Sequence, residues 1–462
     1  MKNMTLAKIK EITGGKLFNA DETSEKEIFS VVSDSRKIAP DSLFLCIKGE
    51  KSDGHAFASE AIEKGAMAVI CEYVPEGFTG PYILVESTLK ATQAMAEFYR
   101  SQLDIKVVGV TGSVGKTSTK EFIAAVLSRK YKVHKTKANY NNEWGVPFTI
   151  LDIQDSHEAA VIELGIDDFG QMDALAKIVK PDIAVITNIG QSHLEQFKNR
   201  DGILRAKREI FNYMDYSGTA LLNGDDDKLV TVLNVKGKRP VFFGLDKHCD
   251  ISAEKIIDHG FSGIEFDMVF RDGGGRMAMH INMPVPGKHL IYAALCAAYA
   301  GSALGVPMLS IKAALNSMEP VDGRSNIKKG EHFTVIDDCY NAAPASMASS
   351  IDILKNASGR KVAILGDMFE LGEDSDKLHF QVGKYAGKAG LDLIICVGKS
   401  AEKMFMGAKM STDKQVEFYH SIDEAKAMIQ YLVEDGDTIL VKASHGMNFT
   451  EISELLDNLN QQ

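Results

Sequence analysis

Residues 105–131 read IKVVGVTGSVGKTSTKEFIAAVLSRKY, and this stretch decides the fold of the middle of the chain. Its opening, IKVVGV, is an apolar run rich in valine, which is typical of a strand buried on both faces. TKEFIAAVLSRKY places its apolar residues three and four positions apart, so it predicts a helix with one buried face. A buried strand that passes through a glycine-rich turn into a helix indicates an α/β unit with a parallel sheet.

The turn between that strand and helix has the residues expected of a phosphate-binding loop. Gly112 and Gly115 allow backbone N–H groups to point inward at phosphate oxygens. The strict pattern GxxxxGK[ST] requires glycine at position 110, where this chain has Val110, so a tight turn with a surface lysine is the alternative. The flanking strand and helix favour a nucleotide site, formed by Thr111, Gly112, Ser113, Val114, Gly115, Lys116, Thr117 and Ser118.

Composition limits the class of protein. The 462 residues exceed what one core holds, which favours two or three domains. The net charge of −11 is spread along the chain, so we expect no nucleic-acid partner. Because no apolar run approaches the ~20 residues needed to span a bilayer, we also expect no membrane span. The first residues predict a helix and not a signal peptide, and six scattered cysteines predict buried thiols. We therefore expect a cytoplasmic protein, and a monomer.

Buried runs and helical segments alternate along the whole chain and divide it into three α/β domains. Residues 1–103 form a small domain with strands in SLFLCI, AMAVIC and YILVE. Residues 104–319 form a central domain like a phosphate-loop ATPase, with a parallel sheet and an antiparallel excursion over 241–283. Residues 320–462 form a Rossmann-like domain with four buried strands, in FTVIDD, KVAILGD, LDLIICVG and TILVKAS.

Two polar residues follow the next buried strands of the central domain. Glu163 and His193 are predicted at the carboxyl ends of AAVIELG and IAVITNIG, beside the phosphate loop. A carboxylate at that edge suits Mg²⁺, which prefers oxygen ligands, while a lone histidine is as often structural. Lys207 lies in RAKREIF between two arginines, and this pattern alone indicates a solvated helix face.

The ordered motifs resemble those of the Mur ligases, ATP-dependent amide ligases that extend the peptide on UDP-N-acetylmuramic acid. TGSVGKTSTKE is similar to the family's phosphate loop, which has the shorter glycine spacing. The motifs that follow in the family's order are NYNNEWGVP (139–147), ELG (163–165), TNIGQSHLEQF (187–197), AKREI (206–210), PVPGKH (284–289), GR (323–324), DDCYNAAP (337–344), LGDMFELG (365–372) and VKAS (441–444). The resemblance covers nearly the whole chain.

The resemblance implies an activity and a role for each domain. The expected substrates are ATP, UDP-N-acetylmuramoyl-tripeptide and D-alanyl-D-alanine, joined through an acyl phosphate in peptidoglycan precursor synthesis. Residues 34–57, DDCYNAAPASM and LGDMFELG favour D-alanyl-D-alanine as the amine. Residues 1–103 would bind the UDP end, residues 104–319 the ATP, and residues 320–462 the amine while closing over the nucleotide.

The same resemblance implies roles for single residues. Lys116 would hold the β- and γ-phosphates, Thr117 and Glu163 one Mg²⁺, and His193 a second Mg²⁺. Lys207 would become a carbamate and so act as an oxygen ligand, which makes Lys116, His193 and Lys207 the catalytic set. The remaining nucleotide contacts would be His289, Arg324 and Asp338, and the remaining substrate contacts Ser35, Arg36, Asn139 and Asn341.

Four positions depart from the family's pattern. Leu290 and Ala293 stand where the family often has two asparagines, the second of which helps to anchor adenine. Ala343 replaces the second asparagine of YNANP, and Ala443 replaces the glycine of KGS. Two alternatives therefore stay open: a Mur-like ligase for a different amino acid or dipeptide, and a nucleotide-binding regulator without catalysis. The absence of a GxGxxG turn argues against a NAD-linked oxidoreductase.

Overall fold

The computed structural model describes residues 1–20, 22–49, 52–272, 275–320 and 326–461. Over these ranges the chain forms three successive α/β domains, each built around its own sheet, as the sequence predicts. No helix within these ranges has the length and apolar character that crossing a bilayer requires.

The N-terminal sheet is small and mostly parallel. Its strands are β1 (Lys16–Phe18), β2 (Val31–Val32), β3 (Leu43–Leu45), β4 (Ala68–Cys71) and β5 (Tyr82–Leu84), with helices α1 (Leu6–Thr13), α2 (Ala58–Glu63) and α3 (Thr88–Ser101). They lie in the order β1-β5-β4-β3-β2, and β1 pairs with β5 in the antiparallel sense. The three predicted runs contain β3, β4 and β5, whereas β1 and β2 are too short to stand out in the sequence.

The central sheet has nine strands among the described residues. They are β6 (Lys106–Thr111), β7 (Val133–Lys135), β8 (Ala159–Glu163), β9 (Ile183–Ile186), β10 (Thr219–Asn223), β11 (Val241–Gly244), β12 (Ile251–Asp258), β13 (Ile264–Asp272) and β14 (Gly275–Met283). The helices are α4 (Lys116–Leu127), α5 (Gly145–Leu151), α6 (Gln171–Val179), α7 (Leu194–Phe197), α8 (Arg200–Arg208), α9 (Leu290–Ala303) and α10 (Met308–Leu315).

The strand order of the central sheet is β14-β13-β12-β11-β10-β9-β6-β8-β7. Strand β6 lies between β8 and β9. The chain passes from β6 to β7 and β8 on one side of it, and then crosses to β9 on the other side. That reversal is the place where open α/β sheets bind ligands, outside the carboxyl ends of the strands. The prediction of an antiparallel segment over 241–283 is wrong in its first part. Strand β11 pairs in parallel with β10 and β12, under the cover of α9, and antiparallel pairing begins only between β12 and β13.

The C-terminal domain has a second open sheet in the order β15-β16-β20-β17-β18-β19. Its strands are β15 (Asn326–Lys329), β16 (Thr334–Asp337), β17 (Lys361–Gly366), β18 (Leu393–Val397), β19 (Gln415–Tyr419) and β20 (Thr438–Lys442), and its helices are α11 (Pro344–Lys355), α12 (Ser375–Lys388), α13 (Ala401–Lys409), α14 (Ile422–Leu432) and α15 (Thr450–Leu459). Four strands were predicted, and the edge strands β15 and β19 were missed because edges carry exposed polar residues. Leu194 and Phe261 of the central domain pack against its core.

The N-terminal and central domains share one hydrophobic core. A single cluster of buried side chains contains residues of both domains. Helix α3 joins them: the Tyr99 hydroxyl donates to the Ile153 carbonyl at 2.7 Å. The neighbouring Arg100 guanidinium donates to the carbonyls of Val179 and Lys180 at 3.0 and 3.3 Å. These buried polar contacts hold the last helix of the first domain against the second.

We predict that Tyr99→Phe destabilises this shared core. Tyr99 is 1% exposed, and removing its hydroxyl leaves the buried Ile153 carbonyl without that donor. The expected loss is about 1–2 kcal/mol, seen by calorimetry as a lower midpoint of the corresponding unfolding transition. Tyr431→Phe is the control because Tyr431 is 75% exposed, and it should change stability by less than about 0.5 kcal/mol. Equal midpoints for the two variants would contradict the role given to the Tyr99 hydroxyl.

Candidate active site

The phosphate loop between β6 and α4 is fixed by the loop that follows β9. The Thr187 hydroxyl donates to the Val114 carbonyl at 2.6 Å, and the Asn188 side chain accepts from the Val114 N–H at 3.1 Å. The Ser113 N–H donates to the Asn188 carbonyl, also at 3.1 Å. Because the amides of 113 and 114 are used in this way, a phosphate group would have to bind at the amino end of α4. The first amides of a helix have no partner within the helix, and the positive end of its dipole lies there.

Gly112 permits the close approach of these two loops. Its φ is +150°, and a Cβ built on it would lie 1.8 Å from the Thr187 Oγ1. Gly115, with a φ of +80°, precedes the first residue of α4. The Lys116 ammonium donates back to the carbonyls of Gly112 and Ser113 at 3.0 and 3.3 Å. The predicted loop geometry is therefore present, with its lysine lying along the loop.

Glu163 ends β8 beside the first turn of α4, where the sequence predicts a magnesium ligand. The carboxylate is 2% exposed, and its Oε1 accepts from Asn141 Nδ2 at 2.8 Å and from the Thr117 hydroxyl at 3.3 Å. Its Oε2 is buried and has no hydrogen-bond partner among the described residues. A hydroxyl and a carboxylate with an unused oxygen fit Mg²⁺, which is held by few protein ligands together with phosphates and water. In the described part of the chain, no three His, Cys, Asp or Glu side chains converge into a metal cage of their own.

His193 does not lie at the end of a strand, where the sequence predicts it. Strand β9 ends at Ile186, and His193 follows a loop, in the left-handed conformation with a φ of +56°. Its Nδ1 lies 2.6 Å from Oε2 of Glu370, which belongs to the C-terminal domain and is also left-handed, with a φ of +62°. This contact lowers the pKa of Glu370. The histidine therefore stands at a junction between two domains and not at a strand end.

Lys207 is buried in α8, which contradicts the solvated helix face that its flanking arginines indicate. It is 3% exposed. Burial lowers its pKa well below the ordinary value, and the positive charge of Lys116 adds to the effect. This environment favours the neutral, nucleophilic amine over the ammonium.

The C-terminal domain supplies the opposite wall of the site. Asp338 follows β16, and its Oδ2 accepts from the Lys442 ammonium and from the Ser350 hydroxyl, both at 2.6 Å. Lys442 also donates to the Asn341 carbonyl at 2.9 Å. Burial lowers the pKa of His289, which stands on the central-domain side of the same space and faces the negative charge of Asp338. A buried ion pair thus fixes the loop that carries Asn341.

A cavity of about 780 Å³ separates the two walls. The predicted site residues that line it are Ser113, Val114, Gly115, Lys116, Thr117, Ser118, Asn139, Glu163, His193, His289, Asp338 and Asn341. The predicted site residues Thr111, Gly112 and Lys207 are not part of the lining. Three of the four departures from the family's pattern, Leu290, Ala293 and Ala343, line the cavity, and Ala443 is fully buried. Arg324 lies outside the described residues.

The two predicted UDP contacts lie in the N-terminal domain, away from this cavity. Ser35 and Arg36 open a short helical turn that follows Asp34. The Arg36 guanidinium is bound at both ends by the Asp34 carboxylate, with two contacts of 2.9 Å, and this pairing lowers the pKa of Asp34 to about 2. The arginine side chain is 85% exposed, so it is accessible.

Sequence reasoning missed several residues that shape the site. Asn141 and Lys120 contact Glu163, while Glu370 contacts His193 and Lys442 contacts Asp338. All four lie inside motifs quoted for the family resemblance. Nothing in their spacing says which partner each contacts, because every pair joins different elements.

Comparisons with known proteins match this chain domain by domain. A phosphate loop that faces a second α/β domain across a cavity defines a multidomain nucleotide-binding protein. Residues 27–108, 110–301 and 323–445 match, in that order, the Mur ligase family catalytic domain, the Mur ligase middle domain and the Mur ligase glutamate ligase domain. The chain is 34% identical to UDP-N-acetylmuramoyl-tripeptide–D-alanyl-D-alanine ligase of Bacillus subtilis (strain 168), over 98% of each chain.

Solved structures show the same fold over nearly the full length. MurF from Acinetobacter baumannii superposes with a TM-score of 0.89 at 30% identity and 99% coverage of both chains. MurF ligase from Thermotoga maritima, in complex with ADP, gives a TM-score of 0.81 at 28% identity, over 94% of this chain and 98% of that one. The chain belongs to the Mur ligase family, and the resemblance predicted from the motifs is confirmed.

We predict that Gly112→Ala weakens ADP binding by at least about tenfold, or about 1.4 kcal/mol. The new Cβ would lie 1.8 Å from the Thr187 Oγ1, so the two loops must separate and the phosphate loop must shift. Calorimetric titration with ADP and Mg²⁺ measures the change.

Gly77→Ala is the matched control for that variant. Gly77 also has a positive φ, of +75°, but nothing lies within 4 Å of its added Cβ. This variant should bind ADP within about twofold of the wild type, a difference of less than ~0.5 kcal/mol. An unchanged ADP affinity in Gly112→Ala would show that the contact of the two loops does not set the geometry of the phosphate site.

Proposed function

We propose that this chain is an ATP-dependent amide ligase that joins D-alanyl-D-alanine to UDP-N-acetylmuramoyl-tripeptide, a cytoplasmic step of peptidoglycan precursor synthesis. The observation that carries the proposal is the single cavity that the phosphate loop, the buried Glu163 and the C-terminal wall face together. The Bacillus subtilis relative that carries this ligase name matches nearly the whole chain, so all three domains have counterparts in it. A cavity between two domains also suits an intermediate that must be kept from water.

The proposed reaction has two steps. An oxygen of the tripeptide's terminal carboxylate attacks the γ-phosphorus of ATP, and the bond from that phosphorus to the bridging oxygen breaks. ADP leaves, and an acyl phosphate remains. The amine of D-alanyl-D-alanine then attacks the acyl carbon, the bond from that carbon to the phosphate oxygen breaks, and phosphate leaves as the amine loses a proton. The first step brings two anions together, so offsetting their charge and positioning them are the main tasks of the protein.

The lining residues are suited to those tasks. The amino end of α4 and Lys116 offset the charge of the β- and γ-phosphates. Thr117 and Glu163 would hold one Mg²⁺, and His193 a second. When bound, Mg²⁺ polarises phosphoryl oxygens and neutralises developing charge. His289, Asp338 and Arg324 would complete the nucleotide site, with His289 and Asp338 on opposite walls of the cavity.

The positions of these groups support the following role for each domain. Residues 104–319 bind ATP, and residues 320–462 bind the amine near Asn341 and close over the nucleotide. Residues 1–103 bind the UDP end, where the accessible Arg36 guanidinium, oriented by Asp34, suits a diphosphate. Asn139 lines the cavity and would contact the acceptor peptide.

Lys207 is proposed to act as a carbamate. Burial lowers the pKa of Lys207 and so favours its neutral amine, and a neutral amine can attack CO₂ and lose a proton to give a carbamate anion. The carbamate anion would place an oxygen ligand close to the positive charge of Lys116. A carbamate at this buried position would be stabilised by the positive charge of Lys116.

We predict that activity depends on CO₂ through Lys207. Lys207→Met should lower kcat by ~10–100-fold or more, the size of effect that loss of a metal-orienting group has. In the wild type, CO₂-depleted buffer should lower activity and bicarbonate should restore it. A ¹³C NMR carbamate signal should appear with labelled bicarbonate and be absent from Lys207→Met. Lys177→Met, which removes a half-exposed lysine charge, is the control and should keep both signal and activity. A fully active Lys207→Met would refute the carbamate.

The function itself is tested by phosphate release from ATP and Mg²⁺ with UDP-N-acetylmuramoyl-tripeptide, with and without D-alanyl-D-alanine. Release that requires both substrates is the expected result, together with a product whose mass equals the tripeptide precursor plus the dipeptide minus water. Release with a different amine only would retain the chemistry and replace the substrate. Tight ADP binding without release for any amine would contradict a catalytic role.

A further inference from the structure

A second lysine of α4 is buried directly beside the candidate magnesium ligand. Lys120 follows Lys116 by one helical turn, yet it is 1% exposed and does not line the cavity. Lys116 donates to the phosphate loop, whereas the Lys120 ammonium points at β8 and at the residue after β7. An interior ammonium is costly unless nearby groups compensate its charge, so its neighbours indicate what it does.

Three groups surround the Lys120 ammonium. It donates to the Thr136 carbonyl at 2.8 Å, lies 3.1 Å from Oε1 of Glu121, and lies 3.8 Å from Oε2 of Glu163. Thr136 also contacts Glu163, because its hydroxyl accepts from the Glu163 N–H at 2.9 Å. Lys120 and Thr136 together therefore tie the helix that follows the phosphate loop to the end of the strand that carries the carboxylate.

The two oxygens of Glu163 have different surroundings. Oε1 is used by Asn141 and Thr117, whereas Oε2 has no hydrogen bond among the described residues and faces the Lys120 ammonium. Oε2 is thus the oxygen left for a cation, and a fixed positive charge already stands beside it. A second cation at that oxygen is repelled by the lysine unless further negative charge arrives with it.

We propose that Lys120 is a positioning residue that holds Glu163 and keeps divalent cations from binding stably before the nucleotide does. In the nucleotide-free protein the ammonium compensates the carboxylate, and the site binds a divalent ion weakly. The phosphates of the nucleotide bring the negative charge that outweighs the lysine, so the metal is held only together with them. The inference rests on the proposed placement of Mg²⁺ at Thr117 and Glu163.

The test is the affinity of the nucleotide-free protein for Mn²⁺, followed by the electron paramagnetic resonance signal of the free ion. The wild type should bind MnCl₂ weakly, and ADP should strengthen the binding. Lys120→Met should bind Mn²⁺ without nucleotide at least about tenfold more tightly, because the repelling charge is gone. Glu163→Gln in that background should remove the gain, which assigns the ion to Glu163.

Two further variants separate charge from folding. Lys120→Arg keeps the charge and should keep the weak Mn²⁺ binding of the wild type, whereas Lys120→Gln keeps a donor for Thr136 and should behave like Lys120→Met. Lys135→Met is the matched control, because Lys135 also pairs with Glu121 but is half-exposed, and it should change nothing. ADP binding in EDTA reports whether each variant retains its fold.

An unchanged or weaker Mn²⁺ affinity in a charge-removing variant that still binds ADP in EDTA overturns the proposal. Equal gains in Lys120→Arg and Lys120→Met overturn it as well, since only one of them loses the charge. These titrations contain no tripeptide and no amine. An absence of ligase turnover would therefore count against the proposed function and leave the role of Lys120 to be decided by the metal affinities.

Discussion

The site depends on the close approach of two loops that leave neighbouring strands of the central sheet. The loop after β6 and the loop after β9 touch at Gly112, where no side chain fits against Thr187. Hydrogen bonds from Thr187 and Asn188 then fix the loop around Val114, and α4 starts with a defined direction. Since α4 carries Lys116, Thr117 and Lys120, its direction determines where these groups stand relative to Glu163. The proposed phosphate and metal contacts thus depend on one arrangement of two loops.

Charge is distributed unevenly in this acidic chain. The net charge is −11, yet the lysines buried in the described part of the chain are Lys120 beside Glu163, Lys207 near Lys116, and Lys442 in the wall of the cavity. Lys442 is paired with Asp338, and Lys120 contacts two carboxylates. Burial and the positive charge of Lys116 both lower the pKa of Lys207. Buried cations such as Lys120 and Lys442 are costly in an interior unless negative charge compensates them, so their positions suit a polyanionic ligand in the cavity.

The sequence predicts best what a few consecutive residues determine. The strand, glycine turn and helix around Lys116 are local, and the three sheets follow from their buried runs. Edge strands such as β19 were missed because one side of an edge faces water, and its residues do not form an apolar run. His193 was placed at a strand end because the intervening loop has no signal of its own. The burial of Lys207 and the partners of Lys120 and Glu370 depend on contacts between distant elements, which periodicity does not encode.

The shared core of the first two domains has a mechanical consequence. Helix α3 is bound to the central domain by the Tyr99 hydroxyl and the Arg100 guanidinium, and one hydrophobic cluster spans the boundary. The C-terminal domain has cores of its own, to which the central domain adds few side chains. The first two domains therefore form one packed unit, and the C-terminal domain forms a second unit. Arg36 of the first domain and the phosphate loop of the second therefore keep a fixed separation, whatever position the C-terminal domain takes.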